Sequence, residues 1–245
     1  MTRSEALTID VARVDAVTLD FYNTLVYHKQ GSGRGPMLME YLKSQGLECD
    51  PWEHQVLYDL FDAHATDYSP NFGDDAKQRY LEWFTKRLFE HLNVRVPTGS
   101  EKDHAGEVWR VLGPSSLGVY PEVPRVLRAL REAGYPLSII SNWQCGLAHF
   151  CHELGLVDAV DHIIASAEVR SVKPNPRIFR EACDRMCVPC ERILHVGDSP
   201  VDDVEGAMGV GMQVVLIQRD GQNTTSTAPT IRSLDQLVDS LVSAA

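Results

Sequence analysis

Five short apolar runs, each stopped by a polar residue, constrain this chain more than any other feature. "VDAVTL" stops at Asp20, "YPLSII" at Ser141, "DHIIA" at Ser166, "RILHV" at Gly197–Asp198 and "QVVLI" at Gln218. Each is too short for a helix. Most are rich in Val and Ile without alternation, the pattern of strands covered on both faces. Helical patterns separate or follow the later runs: "PEVPRVLRALREAG", "QCGLAHFCHELG", "NPRIFREACDRM", "PVDDVEGAMGVG" and finally "SLDQLVDSLVSA". Strand–helix alternation of this kind predicts βαβ units and a parallel, doubly wound α/β sheet.

Residues 30–118 break the rhythm. A Gly-rich stretch, "QGSGRGP", leads in and "GPSSLGVYP" leads out. Between them lie only helical patterns: "MLMEYLKSQG", "PWEHQVLYDLFDAHATDY" with Asp50 as N-cap and Pro51 at the first helical position, "DAKQRYLEWFTKRLFEHL", and "EKDHAGEVWRVL". The expected organisation is a core of residues 1–29 and 119–245 with a helical module, 30–118, inserted after the first strand. Tyr58, Phe61, Tyr80, Trp83 and Phe84 read as that module's own core. "DGQNTTSTAPT" reads as a polar loop.

In a parallel doubly wound sheet, ligands bind beyond the carboxyl ends of the strands. Asp20, Ser141 and Asp198 all fall at such ends. Lys173, in "SVKPNP", follows the Ile163–Ala165 run on a loop before a helix. Four polar residues from separate chain regions are thus expected at one edge. Two carboxylates near one point either share a proton or bind a cation. Mg²⁺ prefers one or two carboxylates, some waters and a substrate phosphate. A serine hydroxyl and backbone amides can hold phosphate oxygens, and a lysine supplies a point charge. An aspartate can attack phosphorus and carry the phosphoryl group.

Taken together, "LDFYNTL", "IISN", "VKPNPRIF" and "HVGDSPVDDVEGAMGVGM" resemble, in order and spacing, the four motifs of the haloacid dehalogenase (HAD) superfamily, subfamily I. The likeness covers residues 15–28 and 119–218, and the insert has the position and size of that family's α-helical cap. It implies a Rossmann-like doubly wound core with an inserted α-helical cap domain. By motif position it implies Asp20 as nucleophile, Ser141 as anion binder, Lys173 as charge neutraliser and Asp198 as Mg²⁺ ligand. Thr24, Ser141, Asn142 and Lys173 are the expected phosphate contacts. The metal set is Asp20, the backbone carbonyl of Tyr22, and Asp198. Asp203 or its neighbour Asp202 orders the site through Lys173 or metal-bound water, although an acid there would also suit a helix N-terminus.

Tyr22 departs from the pattern. Phosphatases of the family usually carry a second aspartate there, which protonates the leaving oxygen and later activates water. A phenol of pKa about 10 cannot do this at neutral pH. The family's 2-haloacid dehalogenases do have tyrosine at this place and need no Mg²⁺, but they have lost the "GDS" acids and have glycine where Asn23 stands. The resemblance therefore implies a Mg²⁺-dependent phosphatase of a small phosphorylated molecule. Its alternatives are a 2-haloacid dehalogenase-type hydrolase and a HAD-like binding protein with weak turnover. His28, Lys29 and Arg34 could reach a substrate, and His28 could replace the missing acid. Trp143 could line the leaving-group pocket or pack beneath the insert.

Composition narrows the partners. The net charge is -11 and the pI about 5.2, so most of the surface repels phosphate backbones and anionic lipid. Neither nucleic acid nor membrane is expected as partner. An anionic substrate needs a local trap. No apolar run approaches the roughly 20 residues of a membrane helix, and the N-terminus lacks a signal-peptide core. The expectation is a cytoplasmic monomer or homodimer. Its cysteines, Cys49, Cys145, Cys151, Cys183, Cys187 and Cys190, would be reduced thiols rather than a zinc site, despite the CxxC spacing of the last two.

Overall fold

The computed structural model describes residues 9–29, 34–51, 74–143, 146–219 and 226–242. Its centre is a six-stranded sheet built from Ala16–Leu19 (β1), Leu137–Ser141 (β4), His162–Ala165 (β5), Ile193–Gly197 (β6), Gln213–Ile217 (β7) and Thr230–Ile231 (β8). The order is β5-β4-β1-β6-β7-β8, and every neighbouring pair is parallel. All five expected strands are present. The two-residue β8 was not expected. Its chain length is too short for any periodicity to show.

The strands sort their side chains between two faces, as a pleat requires. Val17, Leu19, Ile139 and Val196 point to one side and pack with Val123–Glu132 (α4) and Asp235–Leu241 (α9). Ala16, Ile140, Ile164 and Leu216 point to the other and pack with Pro176–Met186 (α7). Helices on both faces explain why the runs read as continuously apolar. Asn175 caps α7, accepting a hydrogen bond from the Arg177 N–H at 3.0 Å. The fourth motif forms a π-helical turn over Pro200–Glu205 followed by a short helix, Gly206–Met208 (α8).

After β1 the chain makes a tight turn and enters Val26–His28 (β2). It returns through Leu117–Val119 (β3), antiparallel to β2, with Val26 opposite Val119 and His28 opposite Leu117. This small pair was not expected. Between its strands lie Arg34–Ser44 (α1), Asp74–His91 (α2) and Glu101–Leu112 (α3). They share an apolar cluster including Leu38, Leu42, Phe84, Leu88, Phe89 and Val108. The helix expected on "PWEHQVLYDLFDAHATDY" lies almost wholly outside the described residues, with Tyr58 and Phe61 on it. The remaining core helices are Leu147–Glu153 (α5) and Ser166–Val169 (α6). No described helix is long and apolar enough to cross a membrane.

One expectation fails. Cys183 and Cys190 are not thiols but a disulfide, with Cα atoms 5.4 Å apart. Helix α7 ends at Cys187 in a left-handed conformation, and the Val188 N–H bonds back to the Cys183 carbonyl. That reversal brings Cys190 onto the helix's last turn. Cys187 is exposed, Cys49 half-buried and Cys151 buried, all three as free thiols. Burial pushes the Cys151 thiol up to about 12, which leaves it protonated and unreactive. Cys145 lies outside the described residues.

Candidate active site

The strand order reverses direction at β1. The chain runs outward from β1 to β4 and β5, then crosses back to β6, β7 and β8. A crevice opens at such a switch point, beyond the carboxyl ends of the strands. Asp20 occupies it, one residue past β1, with its N–H bonded to the Val196 carbonyl of β6 at 2.8 Å. Ser141 ends β4 on one side, and Asp198 follows β6 on the other.

Lys173 is the hub. Its Nζ donates to Asp20 Oδ1 at 2.6 Å, to Asp203 Oδ1 at 2.5 Å and to the Ile140 carbonyl at 3.3 Å. Ser141 Oγ also donates to Asp20 Oδ1, at 3.3 Å. Asn142 fixes the lysine's backbone: its Oδ1 accepts from Lys173 N at 2.6 Å and its Nδ2 donates to Lys173 O at 3.1 Å. The expected phosphate contact Asn142 thus has its side-chain amide engaged by the chain itself. Of the two neighbouring acids, Asp203 is the one joined to Lys173. Asp202 sits half-buried beside it.

Behind this pair lies a relay that the sequence reading missed. Thr18 and His195 are register partners on β1 and β6. His195 Nδ1 lies 2.9 Å from Thr18 Oγ1, and its Nε2 lies 3.1 Å from Asp203 Oδ1. A proton on Nε2 lets the ring donate to Asp203, while the Thr18 hydroxyl can donate to Nδ1 or accept from it. The Ser199 N–H donates to Asp203 Oδ2 at 2.9 Å. Gly197 leaves room for this carboxylate, because a Cβ there would overlap the Asp203 side chain.

The electrostatics split the three acids. Burial pushes Asp20 up to about 7, and the nearby charges of Asp203 and Asp198 add to it, with Lys173 pulling the other way. Burial likewise pushes Asp198 up to about 6, and Asp203 adds to this while Asn23 opposes it. Burial acts upward on Asp203 too, but Lys173 and His195 outweigh it and hold this carboxyl well below the usual range. Burial lowers Lys173, yet Asp20 and Asp203 more than reverse it and keep the ammonium charged. Asp20, Asp198 and Asp203 each offer an oxygen within 4.8 Å of the others. Among the described residues, one lysine stands against those three acids.

The remaining candidates fall into place around this centre. Asn23 adopts a left-handed φ of 60°, and its Nδ2 donates to Asp198 Oδ2 at 3.0 Å. The Thr24 hydroxyl is fully buried. Tyr22 is half-buried, its ring centroid 6.5 Å from that of Trp143. Trp143 is buried edge-on to Phe21 and Phe150 at 5.0 and 5.2 Å. His28 is buried, its Nε2 3.4 Å from the Val111 carbonyl of α3. Lys29 is exposed and donates to the Ser115 carbonyl at 3.0 Å. The Arg34 side chain lies outside the described residues.

With this geometry in place, the likeness to known proteins is specific. The haloacid dehalogenase-like hydrolase family model matches residues 14–211, and the chain belongs to that family of hydrolases. It is similar to a glyceraldehyde 3-phosphate phosphatase of Methanopyrus kandleri, 36% identical over 184 residues, 71% of this chain and 70% of the relative. It is also similar to (S)-2-haloacid dehalogenase 4A of Burkholderia cepacia, 28% identical over 159 residues, 59% of this chain and 68% of the relative. Among solved structures, a HAD phosphatase from Thermococcus onnurineus superposes with a TM-score of 0.62 at 26% identity. That match covers 93% of this chain and 98% of the other.

Proposed function

We propose that the protein is a Mg²⁺-dependent phosphoric monoester hydrolase acting on a small phosphorylated molecule through an aspartyl-phosphate on Asp20. The observation that carries this reading is the charge imbalance. Burial first, and then the neighbouring carboxylate charges, push Asp20 and Asp198 up to about 7 and about 6 despite Lys173. A divalent cation is the partner such an all-oxygen cluster lacks. Asp20, Asp198 and the Tyr22 carbonyl would hold it, and when bound it supplies charge neutralisation to phosphoryl oxygens.

The chain's own residues account for the rest. Lys173 and Ser141 both bond Oδ1 of Asp20, and Oδ2 is the oxygen we assign to substrate or cation. An oxygen of Asp20 attacks phosphorus, the ester oxygen departs with its electron pair, and water later cleaves the acyl phosphate. Ser141 and backbone amides of the second motif hold the phosphoryl oxygens. Lys173, fixed by Asn142 and Asp203, balances the charge that develops. The helical segment 30–118 acts as a cap that screens the site from water and selects the substrate.

Tyr22 sets the limit of this chemistry. With no carboxylic acid at that position, a poor leaving group must depart unprotonated, so activated esters are favoured substrates. The same residue motivates the second reading, carbon–halogen hydrolysis, because halide leaves without a proton. Asp198 weighs against it: the resemblance implies that dehalogenases dispense with that acid, and here Asn23 holds it in place.

Two assays on one sample decide. Phosphate release from an aryl phosphate is followed with Mg²⁺ and with EDTA, and chloride release from 2-chloropropionate beside it. Phosphate release abolished by EDTA supports the proposal. Halide release that survives EDTA overturns it.

A further inference from the structure

Arg219 lies outside all four motifs, two residues beyond β7, yet its guanidinium serves four partners at once. Nε donates to the Asn23 carbonyl at 3.1 Å and Nη2 to the Thr24 carbonyl at 2.6 Å. Nη1 pairs with Glu122 Oε1 at 2.6 Å, and the guanidinium carbon stacks 3.5 Å above the Tyr120 ring. Both members of the ion pair are nearly buried, with side chains 10% and 12% exposed. The Tyr120 N–H in turn bonds the Leu25 carbonyl at 3.1 Å. One planar fork thus gathers two consecutive carbonyls of the first-motif turn and ties them to the segment that follows β3.

That turn needs an anchor. Asn23 sits at φ 60°, a conformation that a side-chain-bearing residue visits at a cost. In that conformation its amide reaches Asp198 Oδ2. The peptide joining Tyr22 to Asn23 is set by the same turn, so the Tyr22 carbonyl and the Asp198 carboxylate depend on one piece of backbone. We propose that Arg219 is a positioning residue that holds the Asn23–Thr24 turn, and through it Tyr22 and Asp198, in the arrangement that receives a divalent cation. The inference rests on the Mg²⁺ reading of the site. It assigns the fork's planarity a purpose, since a lysine ammonium cannot donate to these separated acceptors while lying flat on an aromatic face.

The test is calorimetric titration of Mg²⁺ into metal-free protein with no substrate present. Arg219→Ala and Arg219→Lys should each raise the Mg²⁺ dissociation constant about tenfold or more, the usual loss when a ligand's outer support is removed. Added guanidinium ion should restore affinity to Arg219→Ala, and ammonium ion should not. If Arg219→Ala does not fold, Arg219→Lys carries the measurement, because it keeps the charge beside Glu122. Mg²⁺ binding by both variants at the wild-type affinity overturns the inference and leaves the Mg²⁺ reading standing. Failure of the wild-type protein to bind Mg²⁺ overturns both.

Discussion

A single ammonium holds the site together. Lys173 is 4% exposed and, among the described residues, is the one lysine or arginine bonded to both Asp20 and Asp203. Replacing it with methionine leaves two buried carboxylates without their partner, and breaking a buried ion pair on one side costs about 3–5 kcal/mol. Lys173→Met should therefore lose roughly that much stability in urea unfolding, and turnover with it. A mild change in the unfolding midpoint would show that the lysine is not the keystone. The raised acids have the opposite pH signature from ordinary paired carboxylates. In the metal-free protein Asp20 titrates near about 7 and Asp198 near about 6, against 3.8 for a free side chain. The folded state then binds more protons than the unfolded one across that window, so stability from these groups is present at low pH and drains away as pH rises through 6 and 7. The melting temperature in EDTA should fall between pH 5 and pH 8, and Mg²⁺ should restore more of it at pH 8. A Mg²⁺ shift equal at both pH values would contradict the assignment. Tyr22→Asp, which supplies the missing acid, should raise turnover on alkyl phosphates more than on aryl phosphates. An equal rise on both would show that leaving-group protonation is not the limitation. At this scale the sequence was legible where a polar residue ended an apolar run, as at Asp20, Ser141 and Asp198. It was less legible inside the runs. Thr18 and His195 each interrupt an apolar strand, which is itself a signal of a buried polar partner, but their pairing depends on register that one sequence does not display. Arg219 carried no signal at all, because its four partners come from two stretches of chain far from it in sequence.

The elements explain why the motif residues meet. Strand β6 ends in Gly197 because the carboxylate of Asp203, carried by the π-helical turn, folds back over the strand end. Gly197→Ala places a methyl group in that space. Overpacking of this kind costs about 1–3 kcal/mol, and here it also pushes Asp203 away from Lys173. The variant should lose stability and kcat together, and a fully active Gly197→Ala enzyme would show that the Asp203 contact is dispensable. Strands and long helices were readable because burial on two faces and amphipathic spacing leave clear periodicities. The pair β2–β3 was not, since three-residue strands carry no period, and "PVDDVEGAMGVG" gives no hint that its first turn is wider than an α-helix. Cys183 and Cys190 show the same limit. Their spacing gives no warning of the left-handed residue at Cys187 that brings them together.

The molecule as a whole is acidic, at -11, while its proposed substrate is an anion. Long-range repulsion should slow encounter, and salt should relieve it. The value of kcat/KM for a phosphate ester is expected to rise from low to moderate ionic strength at constant Mg²⁺. A fall would mean that a local positive field, built by residues of the helical segment, dominates the approach. The antiparallel pair β2–β3 has a consequence of a different order. It brings Val26 beside Val119, so the two ends of everything between them are already a strand's spacing apart, and closing that loop adds little entropy cost however long it grows. The pair acts as a socket: the sheet and its four acid and base groups can be inherited intact while the module plugged into the socket is lengthened, shortened or exchanged. Selection for new substrates can then act on one segment of chain without disturbing the register of β1 against β4 and β6, on which the chemistry depends.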